Sequence, residues 1–256
     1  MDVDLVTEKW VKKEESIGMR ASLIKQCLAE FVGTFTLIFI GVGAIFQGAG
    51  LLAVAIAHGF AIAVMVAATG GISGGHLNPA VTFGLLLGGK IEGGRAVSYW
   101  VAQLLGASAA AFLLLGIFSG LPSELPTDSK TIQASSGNAA AILVKGTPDM
   151  IRAGLSPWQG IAIEAVLTFF LVFVIYGTAV DKRGASAIAP LAIGFTVTLG
   201  ILFTGPLTGG AMNPARVFGP ALASGHWNNH WVYWIGPLLG GALAGLVYGR
   251  FLLKDD

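Results

Sequence analysis

The chain repeats itself at a nearly constant offset, and this repeat limits its fold more tightly than any single motif does. Glu30-Phe-Val-Gly-Thr34-Phe35 returns as Glu164-Ala-Val-Leu-Thr168-Phe169, 134 residues later, and Gly59-Phe60 returns as Gly194-Phe195 at 135. Asn78-Pro79-Ala80 matches Asn213-Pro214-Ala215 at 135, and Tyr99-Trp100 with Leu104-Leu105-Gly106 matches Tyr233-Trp234 with Leu238-Leu239-Gly240 at 134. One supersecondary unit has therefore been built twice. Hydropathy says what the unit is. Apolar segments at about 22–46, 51–70, 96–118, 158–180, 186–205 and 231–252 each reach the roughly 20 helical residues that cross about 30 Å of hydrocarbon. Two shorter ones, Pro79 to Leu87 and Pro214 to Ala223, span about 15 Å as helix, or half a bilayer. Each repeat, about 22–118 and 158–252, thus holds three spans and a half-helix. Three is odd, so the second copy enters the membrane upside down. The result is an inverted repeat about an axis in the membrane plane, its interrupted segments meeting at mid-depth.

Composition makes lipid the solvent. Hydrophobic residues are 54% of 256 and charged ones 11%, with mean hydropathy +0.76, which leaves too little polar surface to cover a soluble globule. The 37 glycines have no three-residue period, which excludes a collagen-like chain and suits helices packed closely in a membrane. A net charge of +1 carries no bias toward nucleic acid, and the lone Cys27 can form no internal disulfide. The fold class is an all-α membrane protein with six transmembrane helices and two re-entrant half-helices.

Lys and Arg set the expected orientation. Lys9, Lys12, Lys13, Arg20 and Lys25, the turns at Lys90 to Arg95 and Lys182 to Arg183, and the tail with Arg250 and Lys254 fall on one side when six spans are counted. Both termini are then cytoplasmic. Residues 1–20, which mix lysine and glutamate, read as a cytoplasmic N-terminal arm and not as a cleavable signal, ahead of one membrane domain over 21–253. The loop from Ser119 to Pro157 lies on the opposite side.

Asn-Pro-Ala ahead of an apolar run reads as a helix start, because Asn is a favoured N-cap and Pro at the first helical position gives up only an N–H that has no intrahelical partner. If the side-chain carbonyls of Asn78 and Asn213 cap their helices, each NH₂ is left to face a lumen as a donor. A passing water must accept from both, which interrupts the donor-to-acceptor chain along which protons hop. The two helix N-termini add about half a positive charge each, which disfavours cations. Arg216, three residues after Asn213, sits at a depth where charge is costly and usually faces a water-filled cavity. Glu30 and Glu164 are carboxylates inside spans at matching repeat positions. They serve either as a proton relay or as acceptors for unpaired N–H groups of the re-entrant loops.

Ser73-Gly-Gly-His-Leu-Asn-Pro-Ala-Val-Thr82 and Gly209-Gly-Ala-Met-Asn-Pro-Ala-Arg216 resemble the two signatures of the aquaporin, or major intrinsic protein, family. Ala29-Glu30-Phe31 and Ile163-Glu164-Ala165 open the two halves in the same manner, and the resemblance covers about residues 22 to 252. It implies an aquaporin-like fold, a homotetramer with one pore per subunit, passage of water and small neutral solutes, and no chemical step. It also implies a selectivity filter of Arg216 with His58, Ile201 and Gly210, the last three placed by their spacing from the two motifs. This set departs from the strict water-channel pattern of Phe, His, a small residue and Arg, and is more similar to plant vacuolar members of the family. Ile201 in place of a filter His removes a donor, so ammonia, urea and hydrogen peroxide join water as expected permeants. His58 either pins Arg216 through a hydrogen bond or contacts solute directly. His76 is expected to fix the backbone of its loop, and the carbonyls of Gly75, His76, Gly209 and Gly210 are candidate acceptors along the pore. The plasma membrane is the expected host, with the vacuolar membrane as the alternative.

Other classes fare less well. A glycerol or small-polyol facilitator of the family usually carries Asp where Val217 stands. A secondary transporter needs acid or base residues at the midplane and alternating access, whereas the midplane here offers Asn78 and Asn213. The sequence holds no nucleophile paired with a base, no metal-ligand cluster and no phosphate loop, so neither enzyme activity nor a cofactor is expected.

Overall fold

The computed structural model describes residues 22–119, 148 and 154–253, which contain eight α-helices and no strand. The first repeat supplies α1 (Leu23–Phe46), α2 (Leu51–Ser73), α3 (Pro79–Leu87) and α4 (Gly93–Phe118). The second supplies α5 (Pro157–Ile175), α6 (Ala189–Thr204), α7 (Pro214–Ser224) and α8 (Val232–Leu246). Helix α5 widens into a π-helical turn over Tyr176–Val180, α8 does the same over Val247–Leu252, and a 3₁₀ turn, Ser186–Ile188, leads into α6. With these flanking turns included, six helical segments are long and apolar enough to cross a membrane, while α3 and α7 have 9 and 11 residues. The proposed arm, residues 1–20, and most of the 119–157 loop lie outside the described residues. Helix α2 runs three residues past its expected end at 70, because Gly70 and Gly71 do not break it. It stops where Gly74 turns left-handed at φ 92°.

Packing obeys the repeat. Helix α1 lies along α4 as α5 lies along α8, while each half-helix crosses to the opposite repeat, α3 against α8 and α7 against α4. Helices α2 and α6 meet at the pseudo-two-fold. Close approach explains the glycines at these seams. A methyl carbon at Gly106 would stand 2.3 Å from the Phe31 carbonyl oxygen, and one at the matching Gly240 would stand 2.1 Å from that of Ala165. At the α2–α6 crossing a methyl carbon on Gly59 would meet the Gly194 carbonyl oxygen at 2.5 Å. Backbones this near one another are how membrane helices gain contact where lipid provides no hydrophobic drive.

The turn after α5 is tied to the end of α8. Arg183 donates to the Asp181 carboxylate from Nε at 2.9 Å and from Nη2 at 2.5 Å, and Tyr248 donates its hydroxyl to the same group at 3.1 Å. Arg183 also donates to the Leu252 carbonyl at 2.9 Å. Arg250 donates to the Leu87 carbonyl at 3.1 Å, placing a cation at the C-terminal end of α3 where the helix dipole favours it. The hydrogen bonds from Arg183 hold the Asp181 carboxyl well below the usual carboxylate range.

Two predictions follow from these contacts. Gly240→Ala should lower the thermal unfolding midpoint in detergent, reflecting a loss of about 1–3 kcal/mol from overpacking. Gly116→Ala, which meets nothing within 4 Å, should leave that midpoint unchanged or slightly raised. Because the Asp181 pKa is depressed on folding, its contribution is complete above the ordinary carboxylate value of about 3.9 and is lost only as pH falls through the lower folded value. The midpoint difference between wild type and Asp181→Asn should therefore stay constant from about pH 8 to 5 and shrink only in stronger acid.

Candidate functional site

Two irregular loops carry the chain from a span into a half-helix, and they are built alike. In the first, Gly74, Gly75 and Leu77 have φ of 92°, 61° and 52°; in the second, Gly209, Gly210 and Met212 have 88°, 57° and 52°. Glycine tolerates this left-handed region, but Leu and Met do so at a cost on the order of 1–3 kcal/mol, which persists only where the surroundings over-determine it.

Two buried carboxylates supply those surroundings. Glu30 accepts from Ser73 Oγ at 2.6 Å, from the backbone N–H of His76 at 2.9 Å and Leu77 at 2.6 Å, and from Gln103 Nε2 at 2.8 Å. Glu164 accepts from Thr208 Oγ1 at 2.7 Å and from the backbone N–H of Ala211 at 3.0 Å and Met212 at 2.7 Å. The second set matches the first residue for residue. The exception is Gln103, whose place in the second repeat is taken by Pro237. Tyr99 and Tyr233 complete the pattern, each donating its hydroxyl at 2.8 Å to the carbonyl of Ser73 or Thr208.

The Asn-Pro-Ala turns then form as N-caps. Asn78 Oδ1 accepts from Ala80 N at 2.8 Å, and Asn213 Oδ1 accepts from Ala215 N at 3.0 Å and Arg216 N at 3.4 Å. Pro79 and Pro214 take the first helical positions. The amide nitrogens differ from the sequence expectation in one respect. Asn78 Nδ2 donates to the Met212 carbonyl at 2.7 Å, and Asn213 Nδ2 donates to the Leu77 carbonyl at 2.9 Å. Each NH₂ therefore spends one of its two hydrogens on the opposite loop. The positive φ at Leu77 and Met212 accompanies these cross-bonds, which join the two half-helices end to end.

A cavity lined by residues of both repeats runs past this junction. Its walls follow the repeat: Leu37 answers Leu171, Ile62 answers Val197, Val66 answers Ile201, and Asn78 answers Asn213. Polarity breaks the symmetry, because His58 faces a lumen position matched by Ile193, His76 one matched by Ala211, and Arg216 one matched by Val81. The cavity thus gathers His58, Ile201, Gly210, Arg216, both Asn residues, Gly75 and His76. Gly209 is not among the lining residues. It lies against Pro148, whose Cβ would be 2.9 Å from a methyl carbon placed there.

The histidine tautomers can be assigned from the hydrogen bonds. His58 Nδ1 is 2.9 Å from the Val54 carbonyl, which can only accept, so Nδ1 carries the proton and the neutral ring presents Nε2 as an acceptor. That Nε2 is buried and has no hydrogen-bond partner among the described residues. His58 therefore makes no hydrogen bond to Arg216 in this structure. His76 Nδ1 is 3.0 Å from Thr82 Oγ1, whose own hydrogen goes to the Asn78 carbonyl at 3.1 Å, so His76 donates there. Its backbone N–H goes to Glu30.

Several participants carry no motif of their own. Ser73 and Thr208, and Leu77 and Met212, would have emerged only from extending the 134 to 135 offset through every loop position. Gln103 and the Val54 carbonyl have no sequence signal.

Six spans, an inverted repeat and a polar lumen at the meeting of two half-helices define a passive transmembrane channel and not an enzyme. The chain belongs to the major intrinsic protein family, whose model matches residues 18–248. It is 45% identical over 246 residues to aquaporin TIP2-1 of Arabidopsis thaliana, covering 91% of this chain and 89% of that protein. It is 47% identical over 242 residues to aquaporin TIP2-1 of Zea mays, covering 90% and 88%. Among solved structures it is similar to the aquaglyceroporin from Plasmodium falciparum at 26% identity and a TM-score of 0.72, covering 90% of this chain and 97% of that one.

Replacing a loop-facing carboxylate distinguishes support from proton relay. Glu164→Gln puts an NH₂ among the donors of Thr208, Ala211 and Met212, and each one left unsatisfied costs about 1–3 kcal/mol. The variant should melt at a clearly lower temperature than wild type in detergent. A Gln variant as stable as wild type but with altered proton leak would instead assign Glu164 to a relay.

Proposed function

We propose that this chain is a channel for water that also admits ammonia, urea and hydrogen peroxide while excluding protons and ions. The observation that carries this reading is the reciprocal pair of Asn-to-carbonyl bonds at the centre of the lumen. Each cross-bond fixes its amide and leaves one N–H on Asn78 and one on Asn213 as donors of set direction. A water between them accepts from both and cannot relay a proton onward through the same lone pairs. Both half-helices end their positive poles at this point, with about half a charge each, so a cation meets repulsion where a neutral dipole does not.

Choice among neutral solutes falls in this reading to His58, Ile201, Gly210 and Arg216. Arg216 donates to solute and repels cations, His58 offers an acceptor edge, Ile201 presents an apolar wall and Gly210 adds no bulk. The carbonyls of Gly75, His76 and Gly210 serve as acceptors along the single file, and Glu30 and Glu164 hold the loops that present them. We further propose a homotetramer of these pores, cytoplasmic termini, an N-terminal arm of residues 1–20 and a channel domain over 21–253. The vacuolar membrane is favoured over the plasma membrane as host. Support for that preference comes from the filter's similarity to plant vacuolar members and from relatives named as TIP-type aquaporins.

Stopped-flow swelling of proteoliposomes tests the claim. Water should equilibrate faster than in protein-free vesicles, with ammonia also accelerated and glycerol close to background; water flux at the protein-free rate would refute the reading. His58→Phe combined with Ile201→His narrows the lumen and restores a donor, so ammonia flux should fall about tenfold while water flux is retained. Unchanged ammonia flux in the double variant would remove these two residues from the filter.

A further inference from the structure

His58 is seated against a gap in the neighbouring helix. Gly41 on α1 is buried, and a methyl carbon placed there would lie 2.5 Å from His58 Cδ2, 2.5 Å from Nε2 and 2.7 Å from Cε1. The ring edge therefore fills the volume that a side chain at residue 41 would take. On its other side His58 lines the lumen, and its Nδ1 is tied to the Val54 carbonyl of its own helix at 2.9 Å. The ring cannot retreat along α2 without giving up that bond. Displaced from α1, it has the lumen to move into.

The second repeat shows what the same location looks like without the gap. The position matching Gly41 is Ile175 and the position matching His58 is Ile193, and both of these isoleucines line the lumen. From α1 the lumen lining includes Leu37 and not residue 41, and the imidazole lies back into the space beside Gly41.

We propose that Gly41 determines the breadth of solutes the channel accepts: the missing side chain holds His58 back against α1 and keeps the lumen wide enough for solutes larger than water. This rests on the reading of His58 as a filter residue. Gly41 itself is a positioning residue that acts through the ring.

The test is the ratio of urea flux to water flux, with hydrogen peroxide replacing urea if wild type does not pass urea; passage of neither by wild type would overturn the inference. Four proteins are compared in proteoliposomes: wild type, Gly41→Ala, His58→Ala and the double variant. Alanine raises helix propensity at residue 41, and a ratio taken on one vesicle preparation cancels differences in the amount of folded channel. Gly41→Ala should lower the ratio about tenfold, the scale of one methyl group in a tight apolar site. The same change in the His58→Ala background should leave the ratio where His58→Ala alone puts it. An unchanged ratio in Gly41→Ala, including a proportional fall of both fluxes, would overturn the inference, as would an equal drop in both backgrounds. If His58→Ala itself fails to alter the ratio, the filter role of His58 fails first.

Discussion

At membrane depth a backbone N–H cannot turn to water, and leaving one unpaired costs several kcal/mol. Residues 74–78 and 209–213 are irregular backbone at that depth, so something buried must accept from them. Glu30 and Glu164 do so from α1 and α5. Each carboxylate gathers two consecutive loop N–H groups and a hydroxyl. Once His76, Leu77, Ala211 and Met212 are held in this way, the left-handed turns at Leu77 and Met212 follow, and their carbonyls become available to the opposite asparagine. The half-helices, their caps and the lumen between them all depend on this anchoring.

A relay role for the carboxylates fits this geometry poorly. A proton relay must bind and release protons along a path, whereas the hydrogen bonds to Glu30 and Glu164 come from loop amides, loop hydroxyls and the Gln103 side chain, which the two carboxyl groups hold in place. The repeat also argues for support. Thr208 replaces Ser73 as the hydroxyl donor, which preserves the bond with a different residue. Gln103 has become Pro237, so Glu164 has three donors where Glu30 has four. Tolerance of that loss is natural for a group whose main task is to hold two amides.

The spans and half-helices could be read from the sequence because their signals are local. Run length sets a span, and Asn-Pro sets the start of a half-helix, which is why α3 matches its expected bounds and α7 exceeds them by one residue. The grouping of His58, Ile201 and Gly210 beside Arg216 was legible only through resemblance, since nothing in their residue types announces a shared cavity. The reciprocal asparagine bonds were not legible. They depend on positive φ at Leu77 and Met212, residue types that give no hint of it, and on a three-dimensional junction between residues 134 and 136 apart in sequence. The seat of His58 against Gly41 was hidden for a related reason. A glycine in an apolar helix rich in small residues does not say which neighbour it makes room for.

An inverted repeat offers two equal halves, yet a channel that discriminates needs them to differ. The duplicated elements are those that build the pore: the carboxylates, the left-handed turns, the capping asparagines and the close-packed glycines. The differences fall among positions in or directly behind the lumen wall. Arg216 stands opposite Val81 in the repeat, His58 opposite Ile193, His76 opposite Ala211 and Gly41 opposite Ile175. Polar groups at a shared level face a permeant that has already lost part of its hydration, so an acceptor or donor there weighs more than it would in bulk water. The proposed filter groups Arg216 and His58, whose repeat partners are Val81 and Ile193, so on that proposal selection is confined to one end. The rest of the lining is largely apolar, with Leu37, Ile62, Val66, Leu171 and Val197 along it, and on the same proposal it holds a small solute weakly enough to let it go.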